Sequence, residues 1–101
     1  MFVVLWEGDV KPGCEEPFEK VYGPGGDWDS VFRRDPNHCG TCLYRHTARP
    51  GVCFSTDYRL NCKSHEEFLQ AQKSDYHSLD AATENLISTE RHIGSLETLT
   101  T

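Results

Sequence analysis

The stretch Phe2-Val3-Val4-Leu5-Trp6, running on through Glu7-Gly8-Asp9 to Val10, decides how this chain folds. In an extended strand, successive side chains point to opposite faces. Phe2, Val4 and Trp6 then share one face, and Val3 and Leu5 the other. A sheet with one wet face alternates apolar with polar residues, so a strand apolar on both sides needs a cover on each. A strand over about residues 2–10, covered twice, is the first expectation.

Downstream, Lys11-Pro12-Gly13 reads as a turn. A helix is expected over about 14–22, because Cys14, Phe18, Val21 and Tyr22 form one apolar stripe. Glu15 and Glu16 suit its first turn, and Pro17 is tolerated only there. Gly23-Pro24-Gly25-Gly26 stops it, and Asp27 is placed to cap a short helix over 28–34. Two strands come next at about 39–46 and 52–60, joined across Ala48-Arg49-Pro50-Gly51 as a hairpin. Ser64-x-x-Glu67 reads as a capping box that opens a helix reaching about residue 87, with a polar stretch at 72–75 where it can bend. A last strand is expected over about 89–96.

The resulting order, β-α-(α)-β-β-α-β, is the split βαβ or ferredoxin-like arrangement of the α+β class. It gives a four-stranded antiparallel sheet with helices on one face. The second cover for the first strand is then expected from another copy of the chain, packed sheet against sheet as a homodimer. The 101 residues make one domain, 1–101.

A net charge of −6 argues against nucleic acid and against an anionic membrane surface as partners. No stretch is long and apolar enough to span a bilayer, and the opening five apolar residues lack the basic flank of a signal peptide. A cytoplasmic location is expected, with cysteines kept reduced. Five cysteines, an odd count, do not read as a disulfide framework.

Several runs are similar to those of a known family. Val10-Lys11-Pro12-Gly13, then Phe18-Glu19-x-Val21-Tyr22-Gly23-Pro24-Gly25-Gly26-Asp27-Trp28, resembles antibiotic biosynthesis monooxygenase-like proteins. So do Phe32-Arg33-Arg34, Gly40-Thr41-x-Leu43-Tyr44-Arg45, Arg49-Pro50-Gly51, and Glu90-x-x-Ile93-Gly94 near the C-terminal end. The resemblance implies a dimeric α+β barrel. It also implies oxidation of a small aromatic or quinol-type compound by dioxygen, with no cofactor. The hairpin departs from the family pattern at His38, Cys39, Cys42, His46 and Cys53. Leu60-Asn61-Cys62-Lys63 looks like a small insertion, and a tryptophan expected after Asp57 is missing.

Three constellations could carry chemistry. A small-molecule pocket, between sheet and helices or inside the barrel, could draw on Trp6, Trp28, Phe32, Tyr44, Phe54 and Tyr58 as substrate-binding walls. His38 and His46 are the candidate bases, since imidazole titrates near neutrality. The alternative is a non-enzymatic small-molecule or metal-binding protein, with Cys39, Cys42, His46 and Cys53 as soft ligands. On a regular strand Cys39 and Cys42 face opposite ways, so a shared metal would need a bulge at Gly40-Thr41. A redox role for Cys39-x-x-Cys42 would need a helix N-terminus, whereas the motif falls in a strand. His65, His77 and His92 lie in polar surroundings and read as surface residues. No nucleotide-binding glycine pattern or Ser-His-Asp order is present, and Gly23–Gly26 comes after a helix rather than a strand.

Overall fold

A computed structural model describes residues 1–99. Its elements are β1 (Phe2–Val10), α1 (Glu15–Tyr22), α2 (Asp27–Phe32), β2 (His38–Arg45), β3 (Val52–Arg59), α3 (Cys62–Ala71), α4 (Lys73–Thr83) and β4 (Ile87–Glu97). A single 3-10 turn, Glu84–Leu86, joins the last two. The sheet order is β2-β3-β1-β4, every neighbour antiparallel. This is the ferredoxin-like α+β arrangement expected from the sequence, with β1 inside the sheet.

The core forms between one face of the sheet and the helices. Phe2 and Val4 of β1 are buried there with Phe18, Trp28, Val31 and Phe68. The other face has no helix over it. By register Val3, Leu5 and Glu7 share that face with Tyr58, Thr56 and Phe54 of β3, with Cys42 and Tyr44 of β2, and with Leu96 of β4. Tyr44 and Leu96 are each about half exposed.

The element boundaries correct three expectations. Asp27 does not cap α2: the cap position is Gly26, and the Asp29 carboxylate accepts the Gly25 N–H at 2.7 Å. The Ser64 capping box does not open α3. The cap lies three residues earlier, at Asn61, which accepts the Ser64 N–H at 2.8 Å. Asn61 thus caps the helix one turn upstream, and Ser64 falls inside the first turn instead of at its cap. The long C-terminal helix is two helices, broken at Gln72 within the polar stretch expected to bend.

The Gly-Gly-Asp-Trp run is a positioning device. Gly25 has φ +80, a left-handed conformation that glycine adopts without strain. A Cβ on Gly26 would lie 2.4 Å from the Lys20 carbonyl oxygen, so only glycine lets α2 start this close to the end of α1. Trp28 is thereby driven into the core, where it is 6 % exposed.

Candidate functional site

A cavity of about 240 Å³ lies between the helix-covered face of the sheet and α2, α3 and α4. Its walls are aromatic: Trp6 from β1, Tyr22 from α1, Trp28 and Phe32 from α2, and Tyr76 from α4. The rings hold one another. Tyr76 meets Trp28 edge-on at 4.8 Å, and Trp28 and Phe32 lie 5.8 Å apart. Thr83 fixes the upper end. Its hydroxyl accepts from Trp28 Nε1 and from the Tyr22 hydroxyl, both at 3.2 Å, and donates to the Leu79 carbonyl at 2.8 Å.

Polar groups converge on this apolar box. Asp57 of β3, His65 of α3, Asp80 of α4, and Glu90 and His92 of β4 all line it. Asp57 is nearly buried and belongs to a chain of charges. The fully buried Arg59 donates from Nε to Asp57 Oδ2 at 3.0 Å and from Nη1 to Asp35 Oδ2 at 2.7 Å. Its guanidinium stacks over Phe68 at 4.0 Å and Phe32 at 5.2 Å, a cation–π arrangement. His38 Nε2 lies 2.8 Å from Asp57 Oδ1 and 3.2 Å from the Thr41 hydroxyl. That 2.8 Å approach is close but off-line, so Oδ1 is left without a hydrogen bond.

Burial pushes the Asp57 carboxyl above the ordinary aspartate range, while Arg59 and His38 pull it back. Burial, then the neighbouring Asp80, pushes Glu90 up as well. Burial drives the Tyr76 phenol up to about 12. His65 moves the opposite way: burial and then Arg59 lower it, favouring the neutral ring. The cavity therefore holds groups suited to moving protons, inside walls suited to a flat apolar ligand.

Of the residues singled out in the sequence, Trp6, Trp28 and Phe32 line the cavity. Tyr44, Phe54 and Tyr58 do not. Strand alternation turns them to the helix-free face, where the hydroxyls of Tyr44 and Tyr58 lie 3.4 Å apart. His38 sits one contact behind the wall, against Asp57. His46 is remote: its Nδ1 accepts the backbone N–H groups of Ala48 and Arg49, both at 3.0 Å, so it caps the hairpin loop.

The sulfur ligands do not converge either. A register shift between His38 and Gly40 makes Cys39 the extra residue of a bulge, and its thiol turns to the Asn37 carbonyl. Cys42 pairs with Thr56 on the helix-free face, whereas Cys53 pairs with Gly8 on the opposite face. Among the described residues no group of three His, Cys, Asp or Glu side chains has metal-holding geometry. The surface reading of His65 is also corrected: it is half-buried and lies tilted against Phe2 at 5.5 Å. His92 is exposed as expected, with its ring against Trp6 at 4.8 Å.

Sequence reasoning names Arg59, with Arg45, among the polar groups available to a pocket, but misses Asp57, because Asp-Tyr-Arg at a strand end looks like solvated charge. The usable signal is their i, i+2 spacing, which puts both on the face the helices must cover.

No family model and no curated protein matches the chain. Solved structures do. The fold matches a substituted form of SnoaB, a cofactor-independent oxygenase from Streptomyces nogalater, with a TM-score of 0.79. Identity is 19 %, over 99 % of this chain and 94 % of that one. A protein assigned to the antibiotic biosynthesis monooxygenases from Bordetella bronchiseptica matches at TM-score 0.78 and 16 % identity, covering 98 % and 97 % of the two chains. A variant of MhuD holding two manganese protoporphyrin IX molecules per active site matches at 0.74 and 12 %, covering 100 % and 97 %. The chain thus has the fold of the antibiotic biosynthesis monooxygenase proteins, an α+β ferredoxin-like fold over its whole described length.

Proposed function

We propose that this chain is a single-domain, cofactor-independent monooxygenase-like enzyme acting on a small aromatic or quinol-type compound. The observation that carries the reading is the aromatic cavity with a buried carboxylate in its wall. Its likeness to a cofactor-independent oxygenase supports the reaction class. At about 240 Å³ the cavity lies below the roughly 300–1,000 Å³ usual for drug-sized ligands, which favours a compact ring system. Asp57, Asp80 and Glu90 on its walls disfavour ligands that carry carboxylates of their own.

In this reaction the aromatic walls hold the substrate flat and exclude water. A base removes a proton from an activated ring CH₂, leaving an electron-rich anion that reacts with dioxygen. The carbon loses both hydrogens and gains one oxygen as a carbonyl, and the second oxygen leaves as water. The apolar helix-free face, with Tyr44 and Leu96 half exposed, supports a homodimer closed through that face. The free cysteines suit the reducing cytoplasm.

Oxygen uptake with a panel of anthrones, quinols and naphthols tests the proposal. One dioxygen consumed per quinone formed is expected, and Trp28→Ala should abolish it. Saturable binding without uptake across the panel would make the protein a carrier rather than an oxygenase.

A further inference from the structure

We propose that the aromatic compound taken by this cavity carries a protonated amino group, seated among Tyr22, Trp28 and Tyr76 and facing the carboxylates of Asp80 and Glu90. The assignment rests on the cavity being the substrate site.

The two carboxylates line the cavity from different elements, Asp80 from α4 and Glu90 from β4. Among the described residues neither forms an ion pair. Glu90 is exposed, Asp80 is half-buried, and neither Asp80 oxygen is sealed off without a partner. Both are therefore open to a ligand. They also act on the same phenols. Burial raises the Tyr22 phenol against the pull of its Thr83 hydrogen bond, and Glu90 and Asp80 add to the rise. Burial, followed by Asp80 and Glu90, raises Tyr76 as well. Burial and then Asp80 raise Glu90 itself. Negative charge is concentrated at this end of the cavity.

The donors and cations nearby are committed elsewhere. Thr83 accepts both the Trp28 Nε1–H and the Tyr22 O–H. Arg59 is fully buried behind the wall and bound by Asp57 and Asp35. The His65 ring favours its neutral form, because burial and then Arg59 lower its pKa. His92 lies against Trp6 and pairs with neither carboxylate.

The rings complete the site. Trp28 stacks on Tyr22 at 6.1 Å and meets Tyr76 edge-on at 4.8 Å. Aromatic faces attract an ammonium through the ring quadrupole, most strongly where water is excluded. An ammonium here would gain that attraction and also offset the repulsion between Asp80 and Glu90. A neutral hydroxyl on the same ring could bond to one carboxylate but would gain neither, and a ligand carboxylate would add a third negative charge.

Calorimetric titration with three probes that share one ring system tests this: naphthylmethylamine, naphthylmethanol and naphthoate. The amine, cationic at neutral pH, is expected to bind at least about tenfold tighter than the alcohol, with naphthoate weakest. Asp80→Asn and Glu90→Gln should each weaken the amine severalfold and leave the alcohol unchanged. Glu15→Gln removes an exposed carboxylate from the first turn of α1 and should change neither, which separates a local field from net charge. Salt at about 1 M should narrow the gap between amine and alcohol. Alcohol binding as tight as that of the amine overturns the proposal and leaves the cavity reading in place, and this comparison needs only wild-type protein. An equal loss of amine affinity in Glu15→Gln also overturns it. Failure of all three probes to bind overturns the proposal together with the cavity as the substrate site.

Discussion

Each face of the sheet carries one cluster of opposite charges, and the two clusters differ in what surrounds them. On the helix-covered face, Arg59 is bound by Asp57 and Asp35 with its side chain fully buried. On the helix-free face, Glu7 is bound by Arg49 at 3.0 Å and by Arg91 at 2.6 Å, and those arginines are 54 % and 39 % exposed. The chemistry is the same and the energetics are not. A guanidinium taken wholly out of water must be matched by its partners or the fold loses several kcal/mol. One that keeps water on its outer side depends little on any one partner. The buried cluster can therefore fix the geometry of a site, while the open one can rearrange when another surface arrives.

The sharpest way to break this contrast is Arg59→Ala. It leaves two buried aspartates without their cation and should cost about 3–5 kcal/mol, a large share of the stability of a small domain. Thermal or denaturant unfolding measures it. A loss no greater than that of Arg91→Ala would mean that burial does not separate the clusters.

Two tyrosines repeat the contrast. The phenols of Tyr76 and Tyr44 are both pushed up to about 12, the first by burial in the cavity wall and the second, on the open face, by its hydrogen bond with Tyr58. Linkage sets the sign for Tyr76. Its pKa is higher folded than unfolded, so its contribution is complete below pH 10 and is lost as pH rises toward 12. Tyr76→Phe should escape that loss, and the stability difference from wild type should change by about 2–3 kcal/mol between pH 9 and 12. For Tyr44, Tyr58→Phe should return one phenol toward 10 in an ultraviolet titration and leave Tyr76 unmoved.

The helix-free face is tested by assembly. Leu96→Glu places a charge beside Val3 on this face, and it should weaken self-association at least about tenfold, or about 1.4 kcal/mol. Light scattering at micromolar concentration reads this directly. A wild-type chain of monomer mass would leave the apolar face unexplained by a second copy.

These contrasts also show how much of the molecule is legible in its sequence. Alternation in residues 2–6 is enough to read β1 as a strand that turns Phe2 and Val4 to the core, because alternation is a rigid geometric rule. Trp28 and Phe32 are legible as cavity walls because the glycine turn fixes where α2 begins. Tyr44, Phe54 and Tyr58 read as walls on aromatic character alone, although the same alternation rule carries them to the other face. The buried network is hidden for another reason. Asp35, His38, Asp57 and Arg59 come from two separate segments, and only the pairing of His38 with Arg59 brings them together. The bulge at Cys39 sets the facing of the rest of β2, and Gly40 with φ +140 is its only mark in the sequence.

The smallest expected effect is that of Arg91→Ala. Arg91 holds the Glu7 carboxyl below its ordinary value near 4.5, chiefly through the hydrogen bond it donates, with Arg49 adding to the pull. A carboxyl lowered on folding contributes stability above its unfolded pKa and loses it as pH falls through the folded one. The melting temperature of Arg91→Ala should therefore lie slightly below wild type at pH 7, and the gap should close on acidification as Glu7 protonates. It should also shrink at 1 M salt, where the Debye length is only about 3 Å. A salt-insensitive gap would mean that the pair is shielded from water. That shielding is what a second subunit seated on this face would provide, so the weakest of these effects also reports on the interface from the inside.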